Sequence, residues 1–524
     1  MNTLTPVIAP NPLILRAAVP APAATLANPL DVSAARPSSV VSLGNPVADA
    51  VDVYTRNGVL PGQENVRTWE SSSQDAVTQL MNTRFNSVTT ASRYSDLGAT
   101  LVDQFIKGGG AGISQSVLTT TADRAGDAAG IKTDQAALHS KADNQVSLSI
   151  KTASGKTVTF SLSSQKDGLG VQATVEGGDL TADELKAVGQ LGSAFQASVD
   201  GLMAVPPKLD LGKLTQFDTK VLASVDLNAQ VKAQHGDDLT LAFHGDSQSR
   251  TTRMSGPAGN IDLAVDLKNV AILGDAKQQA KALKTYLAQF DRVEKRGSAN
   301  ADLMAMFKDA FSAMNSNYPQ GATSDALTRN PTDKGLLTGL ADFKASINQA
   351  AGRSNPMRPS EIDSFSYRVS QKTQVSGRGT ADRSVTQHQQ SVLSANVHQS
   401  LDGGKPPTLG TNAESQNYLY VQVQDKASSI ASIAYKDGQL ANASVTQTAS
   451  QNTHTQKYVM AKQVEDTVVP KESASRRDYL ALLERAAQES KKSRDALEQS
   501  TLKNALANLH DSVMLQEDPD VLMR

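Results

Sequence analysis

The feature that most constrains this fold is a strict alternation of apolar and polar residues in three consecutive segments after Gln145. Successive side chains of a β-strand point to opposite faces of the sheet, so this period of two predicts three strands with one apolar face each. Short segments containing Gly, Ser, Asp and Lys separate the strands, which predicts antiparallel hairpins joined by tight turns. The apolar positions are Val146, Leu148, Ile150, Val158, Phe160, Leu162, Val171, Ala173 and Val175.

A helix is predicted directly after the third strand. Residues Thr181 to Glu184 match a capping box, in which the Thr hydroxyl and the Glu carboxylate satisfy exposed backbone N–H groups. The apolar residues that follow recur at spacings of three and four, so one helix face can cover the sheet. Pro206-Pro207 ends the helix. The segment 145–203 is therefore interpreted as the nucleus of the fold and not as a functional site.

Residues 140–235 resemble a segment of bacterial proteins that have no assigned activity. The resemblance is carried by VSLSIKTASGKTVTFSLSS, GDLTADELKAVGQL and LDLGKLTQFDTKVLASVDL. It implies a hairpin, an acidic capped helix and a further strand, and it implies no catalytic residues. Some full-length proteins of this kind carry a lactate-dehydrogenase label. Such an enzyme needs a strand, G-x-G-x-x-G and a helix in one unit, and this sequence contains no such unit.

Composition excludes several kinds of chemistry. The chain of 524 residues contains no cysteine, which excludes disulfides, thiolate zinc sites, iron–sulfur clusters and cysteine nucleophiles. A net charge of −2 gives no overall field for nucleic acid, so no nucleic-acid partner is predicted. No apolar run approaches the roughly 18–20 residues of a membrane span. Hydrophobic residues make up 39% and aromatic residues 4%, which is low for a compact enzyme.

The predicted fold class is α+β, with mainly antiparallel sheets of long polar strands that helices pack against. A third helix is predicted over Leu336–Ala351, after two helical stripes that begin near Asp275. Five segments are predicted: a disordered Pro/Ala/Ser-rich arm over 1–69, a helical segment over 70–143, an α+β core domain over 144–355, an antiparallel β segment over 360–470, and C-terminal helices over 473–515.

The N-terminal arm bears on localisation. Eight of the 20 prolines fall within residues 1–50, and proline is incompatible with a helix interior or a central strand. The arm lacks a basic region followed by a continuous apolar stretch, so a cleaved secretory signal is not predicted and the cytoplasm is the default compartment. An alternative is export through an uncleaved signal of the type III or flagellar kind, which is also disordered and rich in Ser and Pro.

Histidine and glycine motifs give the candidate metal and phosphate sites. Two His-Gly-Asp triplets begin at His235 and His244, but Gly and Asp also suit the ends of strands, and no third ligand has a helpful spacing. Gly108–Gly112 follows a helix and not a strand, which argues against a phosphate loop. No nucleophile elbow, P-loop, H-E-x-x-H or calcium loop occurs, so no catalytic residue, cofactor or metal site is predicted. We expect His388, His398 and His454, in polar strands, to lie at the surface.

Three functions remain open. The first is a non-enzymatic interaction or structural protein, envelope-associated or exported, that binds a protein partner through a polar sheet or a C-terminal helix. The second is an enzyme whose site is assembled from scattered residues, because carboxylates distant in sequence can converge. The third is a binder of an apolar ligand between the sheet near 221–267 and the Met- and Phe-rich helices near 276–316. A continuous exposed sheet would favour the first, a compact pocket with converging ionisable groups the second, and a long apolar groove the third.

Overall fold

Fifteen antiparallel strands joined edge to edge form the framework of this protein. The structure, a computed structural model, describes residues 65–233, 237–318, 335–352, 354–377, 379, 381–492 and 509–523. The predicted arm over 1–69 therefore lies almost entirely outside the described residues, as do His235 and Gly236 of the first His-Gly-Asp triplet.

Within these ranges, the large sheet has the order β1-β2-β5-β4-β3-β6-β7-β8-β9-β10-β13-β14-β15-β16-β17, and β11 and β12 form a separate two-stranded hairpin. The strands are β1 Asn65–Trp69, β2 Ile113–Thr121, β3 Asn144–Thr152, β4 Thr157–Gln165, β5 Gly168–Glu176, β6 Leu222–Val231, β7 Leu239–Asp246, β8 Ser249–Gly256, β9 Gly259–Asp266, β10 Asp342–Gln349, β11 Ser354–Asn355, β12 Arg358–Ile362, β13 Ser364–Gly377, β14 Arg383–Ser400, β15 Tyr418–Lys436, β16 Gln439–Val459 and β17 Lys462–Asp478.

Helices pack mainly on one face of this sheet. They are α1 Ala76–Arg84, α2 Thr90–Tyr94, α3 Leu97–Lys107, α4 Ala122–Ala125, α5 Ala128–Lys141, α6 Ala182–Gln190, α7 Gly192–Met203, α8 Ala276–Gly297, α9 Ala301–Met314, α10 Leu480–Lys492 and α11 Pro519–Leu522. The predicted α+β class with antiparallel sheets is confirmed. The strands of the predicted 144–355 and 360–470 segments belong to one sheet, because β10 pairs with both β9 and β13.

The helix predicted over Leu336–Ala351 is wrong, because β10 occupies half of that range and the rest of it is not helical. Leu336, Leu337 and Leu340 are buried at a spacing that resembles a helix face, but they precede the strand. From Asp342 onward Phe343, Ala345 and Ile347 alternate with exposed or half-buried residues, and both edges of the segment are filled by neighbouring strands. The leucines suggest a helix that would continue through residues 342–349. Those residues instead form a strand, because they pair with β9 and β13 on both edges.

The face that contacts α3, α8 and α9, which we call the helix face, carries the apolar core. An aromatic cluster lies between α8, α9 and the sheet, where Phe311 meets Phe290 and Phe343 edge to face with ring centroids 5.0 Å apart in each pair. Such pairs add about 0.5–1.5 kcal/mol beyond the area they bury. The predicted Met and Phe stripes of residues 276–314 are thus largely core: Phe290, Phe307 and Phe311 are fully buried.

The opposite face, which we call the open face, is covered only near the two ends of the sheet. Helix α5 packs over β2, β4 and β5, where Leu138 contacts Leu118. The β11–β12 hairpin covers the ends of β14, β15 and β16. Between these two covers, residues alternate along each strand between buried and exposed, as in β9, where every second residue is exposed. This is the pattern of a sheet with one face solvated.

The predicted capping box is present and extends into the preceding hairpin. The hydroxyl of Thr181 accepts from the Glu184 N–H at 3.3 Å, and the Glu184 carboxylate accepts from the Thr181 N–H at 2.8 Å. Ser154 and Lys156, in the β3–β4 turn, also donate to this carboxylate at 2.5 and 3.0 Å. The hydrogen bond from Ser154, with those from Thr181 and Lys156, lowers the pKa of Glu184 from 4.5 to about 2. Glu184 therefore joins the first hairpin to α6.

We expect Glu184→Gln to reduce the free energy of unfolding by about 2 kcal/mol at pH 7, the usual size for hydrogen bonds to a charged group. Because the folded-state pKa is depressed, this contribution is present above pH 4.5 and is lost as the pH falls toward 2. Urea unfolding at pH 7 and at pH 3 measures it. Glu176→Gln, at the exposed end of β5, is the control. An equal loss at both pH values would contradict the role of the carboxylate charge.

Candidate functional site

A cluster of ionisable and aromatic side chains lies on the open face beneath the β11–β12 hairpin. Its position explains a switch in the burial pattern of β15. Tyr418 and Tyr420 are buried at the start of the strand, whereas from Val423 onward the residues of opposite parity are buried. The hairpin covers the first two residues and the helix-face core covers the others, so one strand buries both faces in succession.

His398 of β14 lies between two carboxylates in this cluster. Its Nδ1 is 2.7 Å from the Asp363 carboxylate and its Nε2 is 3.2 Å from that of Glu361. Both ring nitrogens can donate to these acceptors only when the imidazole is protonated. Burial opposes the charged ring, but hydrogen bonds with Asp363 and Glu361 outweigh it and raise the pKa of His398 above its ordinary value. The cluster therefore favours an imidazolium held by two acids.

Glu361 is the acceptor on which the other polar groups converge. Its carboxylate accepts from the Tyr418 hydroxyl at 2.6 Å and from Asn355 Nδ2 at 3.0 Å. Burial and the neighbouring Glu361 carboxylate raise the pKa of Tyr418, so the phenol remains a donor. The Arg358 guanidinium lies 4.1 Å from the centroid of the Tyr458 ring, a cation–π contact. The hairpin is thus attached to the sheet by a polar network.

This cluster lacks the properties of a catalytic site. The side-chain polar atoms of Glu361, His398 and Tyr418 all have partners within the chain. A buried polar network in which every group is satisfied stabilises and specifies a fold, and it leaves no donor or acceptor for a substrate. The expectation that His398 lies at the surface is wrong, since it is 4% exposed, whereas His388 on the same strand is exposed as expected. The alternation of β14 could not reveal the hairpin that covers His398.

A second cluster, under α5, brings together a serine, a histidine and a glutamate. The Glu70 carboxylate accepts from Ser114 at 2.7 Å and lies 2.9 Å from His139 Nε2. The Ser114 hydroxyl is 3.4 Å from the same Nε2 atom. A catalytic triad requires the acid and the nucleophile on opposite ring nitrogens, so that the acid orients the base. Here both meet Nε2, while Nδ1 is buried without a partner among the described residues. This geometry does not form a proton relay.

A third cluster of ionisable side chains lines a cavity of about 240 Å³ on the helix face. Arg296 donates to both oxygens of Asp425 at 2.9 and 3.0 Å, and Glu517 accepts from the Tyr367 hydroxyl at 2.6 Å. Burial raises the pKa of Glu517. This cavity is the compact pocket that the enzyme hypothesis would require, but donors of the chain itself already engage its three acids, Asp425, Glu517 and Asp518.

The sequence leaves open whether the second His-Gly-Asp triplet binds a metal or forms the end of a strand. His244 lies within β7 and not in a turn, with Nδ1 2.6 Å from Asp226 and Nε2 3.3 Å from Asp246. Asp246 also accepts backbone N–H groups of Gln248 and Ser249, which is turn chemistry at a strand end. Among the described residues, no group of three or more potential ligands is placed to hold a metal ion.

Polar residues of neighbouring strands lie side by side across the open face. Cross-strand partners are in register from β3 to β17, so residues of one row point to the same face. One row runs through Ser147, Asn228, Ala242, Arg253, Asp262, Ser346, Arg368, Val392, Lys426, Ser450 and Glu472. The unusually polar strands of the sequence thus form one continuous solvated surface.

Positive charge is concentrated in the middle of this surface. Lys344, Arg368 and Lys426 are exposed there, around Val392, which is 43% exposed. Arg253, further along the row, pairs with Asp262 at 3.0 Å. In contrast, Lys344, Arg368 and Lys426 form no ion pair within the described ranges, although Asp262 lines the same shallow cavity as Lys344 and Arg368. We call these three residues with Val392 the cationic patch.

An apolar groove of about 1330 Å³ lies at one end of the helix layer. Met254 of β8 and Met306 of α9 line it together with the segment that follows α7. Val88 and Val205 stand at its surface with 98% and 97% exposure. The groove lies partly between the sheet and the helices of the apolar-ligand hypothesis, although α2 and α7 also contribute to it.

Comparisons of this chain with protein-family models, with curated proteins and with solved structures found no match. The resemblance of residues 140–235 to bacterial proteins therefore stays a prediction. What the structure defines is a class of architecture: an α+β protein built on one open antiparallel sheet. None of the helices in the described part of the chain is long and apolar enough to cross a membrane.

We expect His398 to make the stability of the hairpin cover depend on pH. Because its folded-state pKa is raised, its contribution is complete below the unfolded pKa of about 6.5 and is lost as the pH rises through the folded value. His398→Gln should cost about 3 kcal/mol at pH 6, since it leaves the buried Glu361 carboxylate and the half-buried Asp363 carboxylate without the imidazolium, and less at pH 9. Chemical unfolding monitored at both pH values provides the test.

His388→Gln is the matched control for this variant, because His388 lies exposed on the same strand. A variant-to-wild-type difference that is the same at pH 6 and pH 9 would show that the imidazolium does not contribute.

Proposed function

We propose that this protein is a non-enzymatic interaction protein that binds a partner of acidic surface through the open face of its sheet. The observation that carries this proposal is the cationic patch: three unpaired cations around an exposed valine, within a continuous polar surface. Complementary charge increases the rate of encounter and fixes the register of an interface, while an apolar residue near its centre supplies burial.

The arrangement of the ionisable groups supports an interaction function over an enzymatic one. His398 is buried in an internal network whose polar atoms are satisfied. The more exposed cluster at His139 has its serine and its acid on the same ring nitrogen, so it lacks the geometry of a proton relay. The exposed cations, in contrast, lie on β10, β13 and β15, and Arg368 and Lys426 flank Val392 of the strand between them at a separation of about 10 Å, two strand spacings. This spacing suits an extended contact with another macromolecule.

We expect the triple variant Lys344→Glu, Arg368→Glu, Lys426→Glu to lower the affinity for the partner at least about tenfold, because it places like charges in the interface. The control is Lys132→Glu, Lys277→Glu, Lys284→Glu, which changes the net charge equally at exposed helix positions. Lysine-directed cross-linking in cells, followed by mass spectrometry, should join Lys344 or Lys426 of the wild type to another protein. Cross-links to partners only from other surfaces, or equal losses in both triple variants, would contradict the proposal.

A second candidate function, binding of an apolar ligand, is favoured by one observation: two almost fully exposed valines beside the apolar groove. Exposed apolar side chains that flank a groove often mark a binding site. The groove is open and its lining includes Met203, Met254 and Met306, which adapt to ligands of irregular shape.

We expect a fluorescent fatty acid to bind the wild type, and Val88→Asp with Val205→Asp to weaken that binding about tenfold, since two charges would border the apolar chain. Both residues are exposed, so folding should be unaffected. Val521→Asp, at a position that is 45% exposed on α11, is the control. Fluorescence titration measures the affinity, and unchanged affinity in the double variant would exclude this groove as the ligand site.

A further inference from the structure

Within the described residues, strand β17 is a long and uncovered edge of the large sheet. It has 17 residues, pairs only with β16, and is exposed along almost its whole length. At about 3.3 Å per residue it presents about 55 Å of backbone. Val464, Val468 and Val469 are 57%, 55% and 48% exposed. In the part of the chain that the structure describes, no strand pairs with the outward edge of β17.

The charges of β17 are arranged with opposite signs toward its two ends. Glu465 and Asp466 lie near its start and Arg476 and Arg477 near its end, although the terminal residues Lys462 and Asp478 carry the opposite signs. If a second copy of β17 lay antiparallel beside the first, the acidic end of each strand would face the basic end of the other. Opposite charges directly across an antiparallel pair are stabilising, and like charges are destabilising.

We propose that β17 is a self-association edge at which two copies of this chain pair antiparallel about a two-fold axis at Lys471. In an antiparallel pair, two facing residues are either both hydrogen-bonded to each other or both not. The register can therefore change only by two residues at a time, which moves the two-fold axis by one residue. With Lys471 on the axis, Glu465 faces Arg477 and Asp466 faces Arg476. This inference is independent of the function proposed for the open face.

The neighbouring registers lack this complementarity. With Pro470 on the axis, Lys462 would face Asp478, but Glu465 would face Ser475 and Asp466 would face Ala474, so the four attractive pairs of the dimer would be replaced by two. With Glu472 on the axis, two glutamates would meet each other and Asp466 would face Asp478. The charge pattern therefore selects one register, because each alternative removes attractive pairs or creates repulsive ones.

Two features of the strand, Lys471 and Pro470, are unfavourable for this pairing, but neither prevents it. Lys471 would face its own symmetry mate, but each Lys471 is already neutralised by Asp520 of the same chain at 2.6 Å. Pro470 has no N–H group and so removes at most one hydrogen bond per copy. Val468 would face Ala474 and Val469 would face Ser473, which partly covers the exposed valines. The two-fold axis is perpendicular to the sheet, so the open faces of both copies lie on the same side.

Charge exchange tests the pairing. We expect the wild type to sediment as a dimer, and both Glu465→Arg with Asp466→Arg and Arg476→Glu with Arg477→Glu to sediment as monomers. An equimolar mixture of the two variants should restore a dimer, since every facing pair is then again of opposite charge. Lys132→Glu with Lys284→Glu controls for net charge and should remain dimeric. A monomeric wild type at all concentrations, or a mixture that remains monomeric, would overturn the proposal.

Single cysteines test the register, because the chain has none of its own. Facing residues of an antiparallel pair have Cα atoms about 4.5–5.5 Å apart, within the range of a disulfide. Lys471→Cys should therefore form a covalent dimer under mild oxidation, and Val469→Cys, whose copies would be four positions apart, should not. Cross-linking of Val469→Cys in preference to Lys471→Cys would overturn the register even if the protein is a dimer. Neither test depends on the cationic patch, so failure here leaves the proposed function standing.

Discussion

The backbone hydrogen bonds between fifteen antiparallel strands are the interaction on which the rest of the described structure depends. An open sheet of this width has to bury one face to be stable, and the helices with the segment 509–523 supply enough apolar surface for one face only. The other face remains in contact with water, which requires polar residues at every second position. The low apolar and aromatic content of the chain follows from this one-sided core, and so does the large surface that the open face offers to a partner.

Local patterns in the sequence predict those parts of the fold that are determined by interactions between residues close together in the sequence. The alternation in β3, β4 and β5 and the capping box at Thr181 are confirmed, because strand faces and helix caps are set within a few residues. The order of β1 to β17, the strand β10 and the burial of His398 depend on segments distant in sequence. Leu336, Leu337 and Leu340 have helical spacing, yet the ladder formed with β9 and β13 determines the structure of the residues that follow them.

The same limit explains why the ionisable clusters could not be predicted. Glu361 and His398 are 37 positions apart, and Glu70 and His139 are 69 apart, so no motif connects them. They meet because α5 and the β11–β12 hairpin each cover an end of a face that is otherwise polar. Polar side chains that such a cover buries have to find partners, and histidine and carboxylate residues satisfy one another at little cost. Converging ionisable groups are thus a consequence of covering a polar sheet, and convergence alone is weak evidence for catalysis here.

The two edges of the sheet also differ in a way that bears on association. An uncovered edge strand invites pairing with other chains, and proteins limit this by keeping edge strands short or charged. Within the described residues β1 has 5 residues and offers few backbone groups, whereas β17 has 17. A long edge can be protected against most partners and still accept one, provided that its charges favour the intended alignment over the others. The separation of acidic and basic residues toward opposite ends of β17 has this property for a second antiparallel copy. A parallel copy in register would place Glu465 and Asp466 beside their own counterparts, and Arg476 and Arg477 beside theirs, so that orientation is repelled at both ends of the strand.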